Sequence, residues 1–135
     1  MFVTLKSMKL RIKGDSLRLR LTQGEVGRFA SAGVVEETIG FCTSPDQSLV
    51  YRVYRDDSVA SISAEFTDNE LTVRVSADLA TQWIGTEQVG MEAHTDIGNR
   101  RFLHIMIEKD FACLTPRLGD DDKDTFPHPA TGGGC

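Results

Sequence analysis

The 135-residue chain has little cysteine to build with: Cys42, Cys113 and Cys135 are odd in number and widely spaced, and no CxxC occurs. That excludes a disulfide framework and the short-spacing zinc or redox motifs, and it points to reduced thiols. No apolar run approaches the roughly 18 residues of a membrane helix, and the opening residues lack the long apolar stretch of a secretory signal. A cytoplasmic protein with no membrane partner is the expectation. Walker loop, GxSxG elbow and HExxH are all missing, which removes sequence support for three common catalytic designs. A net charge of −5 argues against nucleic acid as a partner. What remains is enough apolar content for one core, and a chain too short for two independent ones.

The charge is polarised. Lys9, Arg11, Lys13, Arg18 and Arg20 crowd the front against Asp15, while Asp120, Asp121, Asp122 and Asp124 gather near the end against Lys123. Both basic stretches alternate strictly with apolar residues, Met8-Lys-Leu-Arg-Ile-Lys13 and Ser16-Leu-Arg-Leu-Arg-Leu21, around a Gly14-Asp15 loop of the kind hairpins prefer. A two-residue loop sets the register. Leu10 then faces Leu19 and Ile12 faces Leu17 on one side, while Arg11 faces Arg18 and Lys9 faces Arg20 on the other. Thr22-Gln-Gly-Glu25 spells a capping box, and Val26, Phe29 and Ala30 follow at helical spacing up to Gly33. Segments 34–41 and 48–55 read as strands.

Fifty-four positions on, the order recurs without a gap: Leu17 falls on Leu71, Arg20 on Arg74, Phe29 on Trp83, Val35 on Val89 and Leu49 on Leu103. The second copy reads as a hairpin around Asp68-Asn69, a helix from Ser76 to Gly85, and a last hairpin. If Met91 pairs with Ile105 there, Glu92 faces His104, with His94 and Glu108 on the same polar side. The fold class expected is α+β: a tandem duplication of a strand-strand-helix-strand-strand unit, copies about 8–55 and 62–109. Its eight strands make one mainly antiparallel sheet, open or curled into a barrel, with two helices on its apolar face. Residues 8–118 are then a single domain and 1–7 an extension. Residues 119–135 form an acidic, Pro- and Gly-containing flexible tail that includes Phe126-Pro-His-Pro129.

Like charges opposite each other on a hairpin cost about 0.2–1 kcal/mol per pair, so the front hairpin calls for a counter-charge. Three sources are open: an anionic ligand, an internal acid from Asp120–Asp124 or Glu36, Glu37 and Glu65, or solvent and salt over a wetted face. The anion-binding set is Lys9, Arg11, Lys13, Arg18 and Arg20, with Arg52 and Arg74 in support. Glu65, Glu92, His104 and Glu108 are the set for a divalent metal or for acid-base work, with His94 beside them. Cys113, His128 and Cys135 carry metal-binding chemistry without a recognised spacing, and Asp120-Asp-Asp-Lys-Asp124 lacks the glycine and terminal glutamate of a calcium loop.

Met8-Lys-Leu-Arg-Ile-Lys-Gly-Asp-Ser-Leu-Arg-Leu-Arg-Leu-Thr-Gln-Gly-Glu-Val26, with Glu108-Lys-Asp-Phe-Ala-Cys-Leu-Thr-Pro-Arg117 and Phe126-Pro-His-Pro129, resembles a family of small bacterial conserved hypothetical proteins over nearly the whole chain from Met8. That family carries no known catalytic residues to transfer. In architecture, the duplicated order with a charge-alternating first strand resembles the CYTH or triphosphate-tunnel fold, an eight-stranded barrel that binds triphosphates with divalent metal. Its ExExK signature is replaced here by Lys9-Leu-Arg-Ile-Lys13, which keeps only the final lysine. Anion binding is compatible with that replacement; metal-dependent hydrolysis loses its glutamates. The reading that follows is a binding protein for a phosphate-rich or polycarboxylate small molecule. A metal-dependent phosphohydrolase, and a non-enzymatic interaction module whose basic face is masked by the acidic tail, are the alternatives.

Overall fold

A computed structural model describes residues 8–111 and Phe126. The expected N-terminal extension, Cys113, His128, Cys135 and the acidic run Asp120–Asp124 lie outside the described residues. The elements run β1 (Lys9–Lys13), β2 (Ser16–Leu21), α1 (Gln23–Ala32), β3 (Val34–Gly40), β4 (Ser48–Arg55), β5 (Ile62–Thr67), β6 (Glu70–Val75), α2 (Ala77–Gly85), β7 (Gly90–Gly98) and β8 (Arg101–Lys109).

Local chemistry explains most of this order. Gly14 takes φ +53 at the first loop position, where only glycine is unstrained, so the β1–β2 turn has the φ pattern of type II′. Asp68 and Asn69 both take positive φ, the type I′ pattern that Asn and Asp tolerate best. These turns hold the hairpins in the expected registers, Lys9 opposite Arg20 and Arg11 opposite Arg18 in the first, Ile62 opposite Val75 and Phe66 opposite Leu71 in the third. At α1 the capping box is complete: Thr22 Oγ1 accepts from the Glu25 amide and Glu25 Oε1 accepts from the Thr22 amide at 2.9 Å. Gly33, at φ 79, closes the helix.

The strand pairing differs from the single sheet or barrel that the alternation suggests. There are two mixed four-stranded sheets, β1-β2-β8-β7 and β3-β4-β6-β5, each antiparallel at its flanks and parallel in the middle. Alternation states which side of a strand is buried, not which strand lies next to it, and the parallel neighbours β2 and β8 are most of the chain apart. The last hairpin also differs: Met91 pairs with Ile107, not Ile105, so Glu92 stands opposite Met106 and His94 opposite His104.

The parallel ladders repeat at the offset seen in the sequence. Ser16 pairs with His104 and Glu70 with Val50. Asp110 donates its amide to Leu21 O as Asp56 does to Val75 O. After the second helix the offset grows by two residues, since the Lys109 amide bonds Val89 O where the Arg55 amide bonds Gly33 O. Met91, not Val89, therefore occupies the place of Val35.

Both sheets and both helices share one core, with Leu19, Leu21, Phe29, Val53, Val73, Val75, Trp83, Ile105 and Ile107 fully buried. α1 lies against β2, β3 and β4, α2 lies against β7, and Phe29 meets Trp83 edge to face at 6.3 Å. Lys109 enters this core from the end of β8, donating to Thr86 O at 2.7 Å beneath the Trp83 ring. Its ammonium caps the end of α2, and burial lowers its pKa.

Candidate functional site: the outer face of the first sheet

Because Leu17, Leu19 and Leu21 point into the core, Ser16, Arg18 and Arg20 point outward, and the same alternation turns out His104, Met106 and Glu108 on β8. Register then assembles three rows across β1, β2, β8 and β7: Lys9, Arg20, Glu108 and Gly90; Arg11, Arg18, Met106 and Glu92; Lys13, Ser16, His104 and His94. Five cations stand on two strands as the sequence predicts.

Their counter-charges come from the neighbour that pattern alone does not identify. Glu108 Oε1 lies 3.4 Å from Arg20 Nε and 3.6 Å from Arg18 Nε, and Lys9 Nζ lies 3.1 Å from the buried carboxylate of Asp110. Gly90 makes room for this: a Cβ there would meet Glu108 Cγ at 3.0 Å and Ile107 O at 3.1 Å. Counter-charge reaches the first row and, through Glu108, the Arg18 guanidinium of the second. The Arg18 Nε is buried without a hydrogen-bond acceptor, and its Nη2 reaches only the Met106 sulfur at 3.7 Å. Arg11 and Lys13 are exposed and have no ion-pair partner among the described residues. In the third row the imidazoles of His94 and His104 stack at 4.1 Å, and His104 Nε2 meets the diagonal carboxylate of Glu92 at 2.6 Å.

The remaining sequence candidates stand elsewhere. Arg52 and Arg74 occupy the outer face of the other sheet, where both are already held. Arg52 Nε donates to Glu36 at 2.9 Å and its Nη1 meets Glu70 at 2.9 Å and Thr72 Oγ1 at 2.9 Å. Arg74 meets Glu65 at 3.1 Å and Asp56 at 3.2 Å and lies over the Tyr54 ring. The carboxylates raise the pKa of both guanidiniums, chiefly Glu36 for Arg52 and Glu65 for Arg74. Glu65 is thus separated from Glu92, His104 and Glu108, which share the first sheet. Among the described residues no three His, Cys, Asp or Glu side chains converge to hold a metal ion. Glu36 and Glu65, expected as internal acids for the basic hairpin, serve Arg52 and Arg74 instead. Glu37 stands opposite Tyr51 and, with Glu25, helps raise the tyrosine's pKa behind the main cause, burial.

Sequence reasoning missed Asp110 entirely and gave Glu108 a metal-binding role. Nothing near either residue signals that β8 lies beside β2. Two open depressions, one around Gly33, Arg55 and Asp56 and one around Pro45, Asn69 and Glu70, do not touch the basic rows. Among the described residues no helix is long and apolar enough to cross a membrane.

No curated protein and no solved structure matches the chain. A family match does cover residues 8–130, nearly the stretch over which the front and back motifs resemble one family. The chain belongs to DUF7009, a family of unknown function.

Proposed function

We propose that the outer face of the first sheet binds a polyanionic small molecule, phosphate-rich or polycarboxylate, at Arg11, Lys13 and Arg18, flanked by Lys9 and Arg20. The observation that carries this reading is the unequal neutralisation of the five cations. Glu108 and Asp110 serve Arg20 and Lys9, Glu108 reaches the Arg18 guanidinium only at 3.6 Å, and among the described residues no carboxylate pairs with Arg11 or Lys13. Guanidinium groups suit bidentate contact with two oxygens of a carboxylate or phosphate, and an anion there removes a like-charge cost of about 0.2–1 kcal/mol. On the same reading the chain is a tandem duplication whose first copy kept the basic hairpin. The recurring ladders and the alignment of Arg11 with Glu65 support that history.

Calorimetric titration with tripolyphosphate and with citrate at low ionic strength tests the site. Saturable binding is expected, weakened at least about tenfold in the Arg11→Gln, Arg18→Gln double variant, as loss of two charge-assisted contacts requires. Relief of repulsion should leave that variant at least as stable as the parent. Unchanged affinity in a more stable double variant overturns the proposal.

A further inference from the structure

Among the described residues β1 is an outer edge of its sheet, with β2 as its one strand neighbour. In a hairpin closed by a two-residue loop, alternate residues turn their N–H and C=O groups away from the partner strand. On β1 these belong to Leu10 and Ile12, the positions opposite Leu19 and Leu17. One step before them, Met8 O accepts from Tyr51 Oη at 2.7 Å. Among the described residues nothing takes up the groups of Leu10 and Ile12.

The two halves of the molecule differ at this edge. β5, which occupies the same place in the other sheet, lies against β7 and β8, whereas β1 and β3 make no comparable approach. The sheets meet more closely along the β5–β7 side than along the β1–β3 side, where the Tyr51 hydroxyl bridges to Met8 O. On the β1–β3 side Ile12 is 62% exposed and Ile39 of β3 is 45% exposed, although both belong to the inner faces of their strands.

We infer that β1 accepts an added strand from an acidic partner peptide in which Asp or Glu alternates with apolar residues. Side chains on one face of a strand recur about every 6.6–6.8 Å, which is how Lys9, Arg11 and Lys13 are spaced. The acids of an added strand fall beside them in step, while its other face covers Ile12. Main-chain bonds to Leu10 and Ile12 supply affinity and the charge row supplies selection. Pairing of β1 with β1 of a second copy sets Lys and Arg against Lys and Arg, so the same row opposes self-association. This partner goes beyond the small-anion reading because it uses the backbone edge as well as the cations.

The test titrates the full chain with three synthetic peptides: alternating Glu and Val, a scrambled peptide of equal composition, and the alternating peptide N-methylated at every second amide. The alternating peptide should bind about tenfold or more tightly than the other two, and amide exchange at Leu10 and Ile12 should slow on binding. The exposed-site variants Arg11→Gln with Lys13→Gln, and Ile12→Ser, should each weaken it. Equal binding of all three peptides with unchanged exchange overturns the inference. So does protection of those amides in the free protein, which shows the edge already covered by another stretch of the chain or by a second copy. Tripolyphosphate run in parallel separates the two claims. Phosphate binding without peptide preference overturns only the added strand, and peptide preference without phosphate binding overturns only the small-anion site.

Discussion

On the outer face of the second sheet each arginine is enclosed by acids. Arg52 lies between Glu36 and Glu70, and Arg74 lies between Glu65 and Asp56. On the first sheet the seats corresponding to Glu65 and Glu70 hold Arg11 and Ser16, Glu92 is engaged by His104, and Glu108 and Asp110 stand toward the Lys9–Arg20 end. The strand pairing follows the same order in both sheets while the electrostatics differ. A balanced face needs nothing further from solution, whereas an unbalanced one gains free energy from whatever anion it collects. The difference rests on a handful of side chains, so it can be transplanted.

The largest expected effect tests whether the two faces ride on one body. Trp83→Ala empties the centre of the shared core beside Phe29, and denaturant unfolding should show a loss of about 3–5 kcal/mol in a single transition. Two separated transitions would mean that the sheets are independent. Next is the transplant Arg11→Glu, which gives the first sheet the acid of the second. Affinity for tripolyphosphate should fall at least about tenfold, about 1.4 kcal/mol, while thermal stability rises. Unaltered affinity would place the anion elsewhere.

The reverse transplant, Glu65→Arg, deprives Arg74 of one partner and sets two cations on the diagonal. Urea denaturation should show a cost of about 0.2–1 kcal/mol, and the second face should begin to retain tripolyphosphate. A neutral result on both counts would show that the acids of this face are incidental.

The smallest effect concerns the capping box, which α1 has and α2 lacks, since Leu79 stands in α2 where Glu25 stands in α1. Burial raises the Glu25 carboxyl above its ordinary 4.5, the hydrogen bonds from Thr22 offsetting this in part. Between 4.5 and that higher native value the folded chain binds more protons than the unfolded one. The stability contributed by Glu25 therefore falls as pH climbs through that window, and its cost is fully present above it. Glu25→Gln keeps the Oε1 acceptor and should flatten this slope when urea midpoints are compared between about pH 4 and 7. An unchanged slope would assign it to other carboxylates.

The two legible hairpins are those closed by two-residue loops at Gly14-Asp15 and Asp68-Asn69, whose chemistry leaves one register open. The apolar pattern places the last hairpin two residues out of register, because its tight turn, Asn99 and Arg100 at positive φ, comes later than that pattern suggests. Of the candidate site, the five cations and their common face were readable, because alternation alone places them. The carboxylates that serve them were not, since Glu108 and Asp110 reach Arg20 and Lys9 only through a parallel pairing between distant strands.

By itself the sequence determined the local structure: two capped helices, the tight hairpins, the side of each strand that is buried, and the like-charge opposition on β1 and β2. Those features depend on residues within a few positions of one another, where backbone sterics and side-chain alternation leave few choices. Tertiary structure decided the rest: two sheets instead of one, Arg52 and Arg74 removed from the basic face, and the first row neutralised while Arg11 and Lys13 have no ion-pair partner among the described residues. Which strand lies beside which is chosen by burial of the shared core, and the fate of each charge follows from that choice.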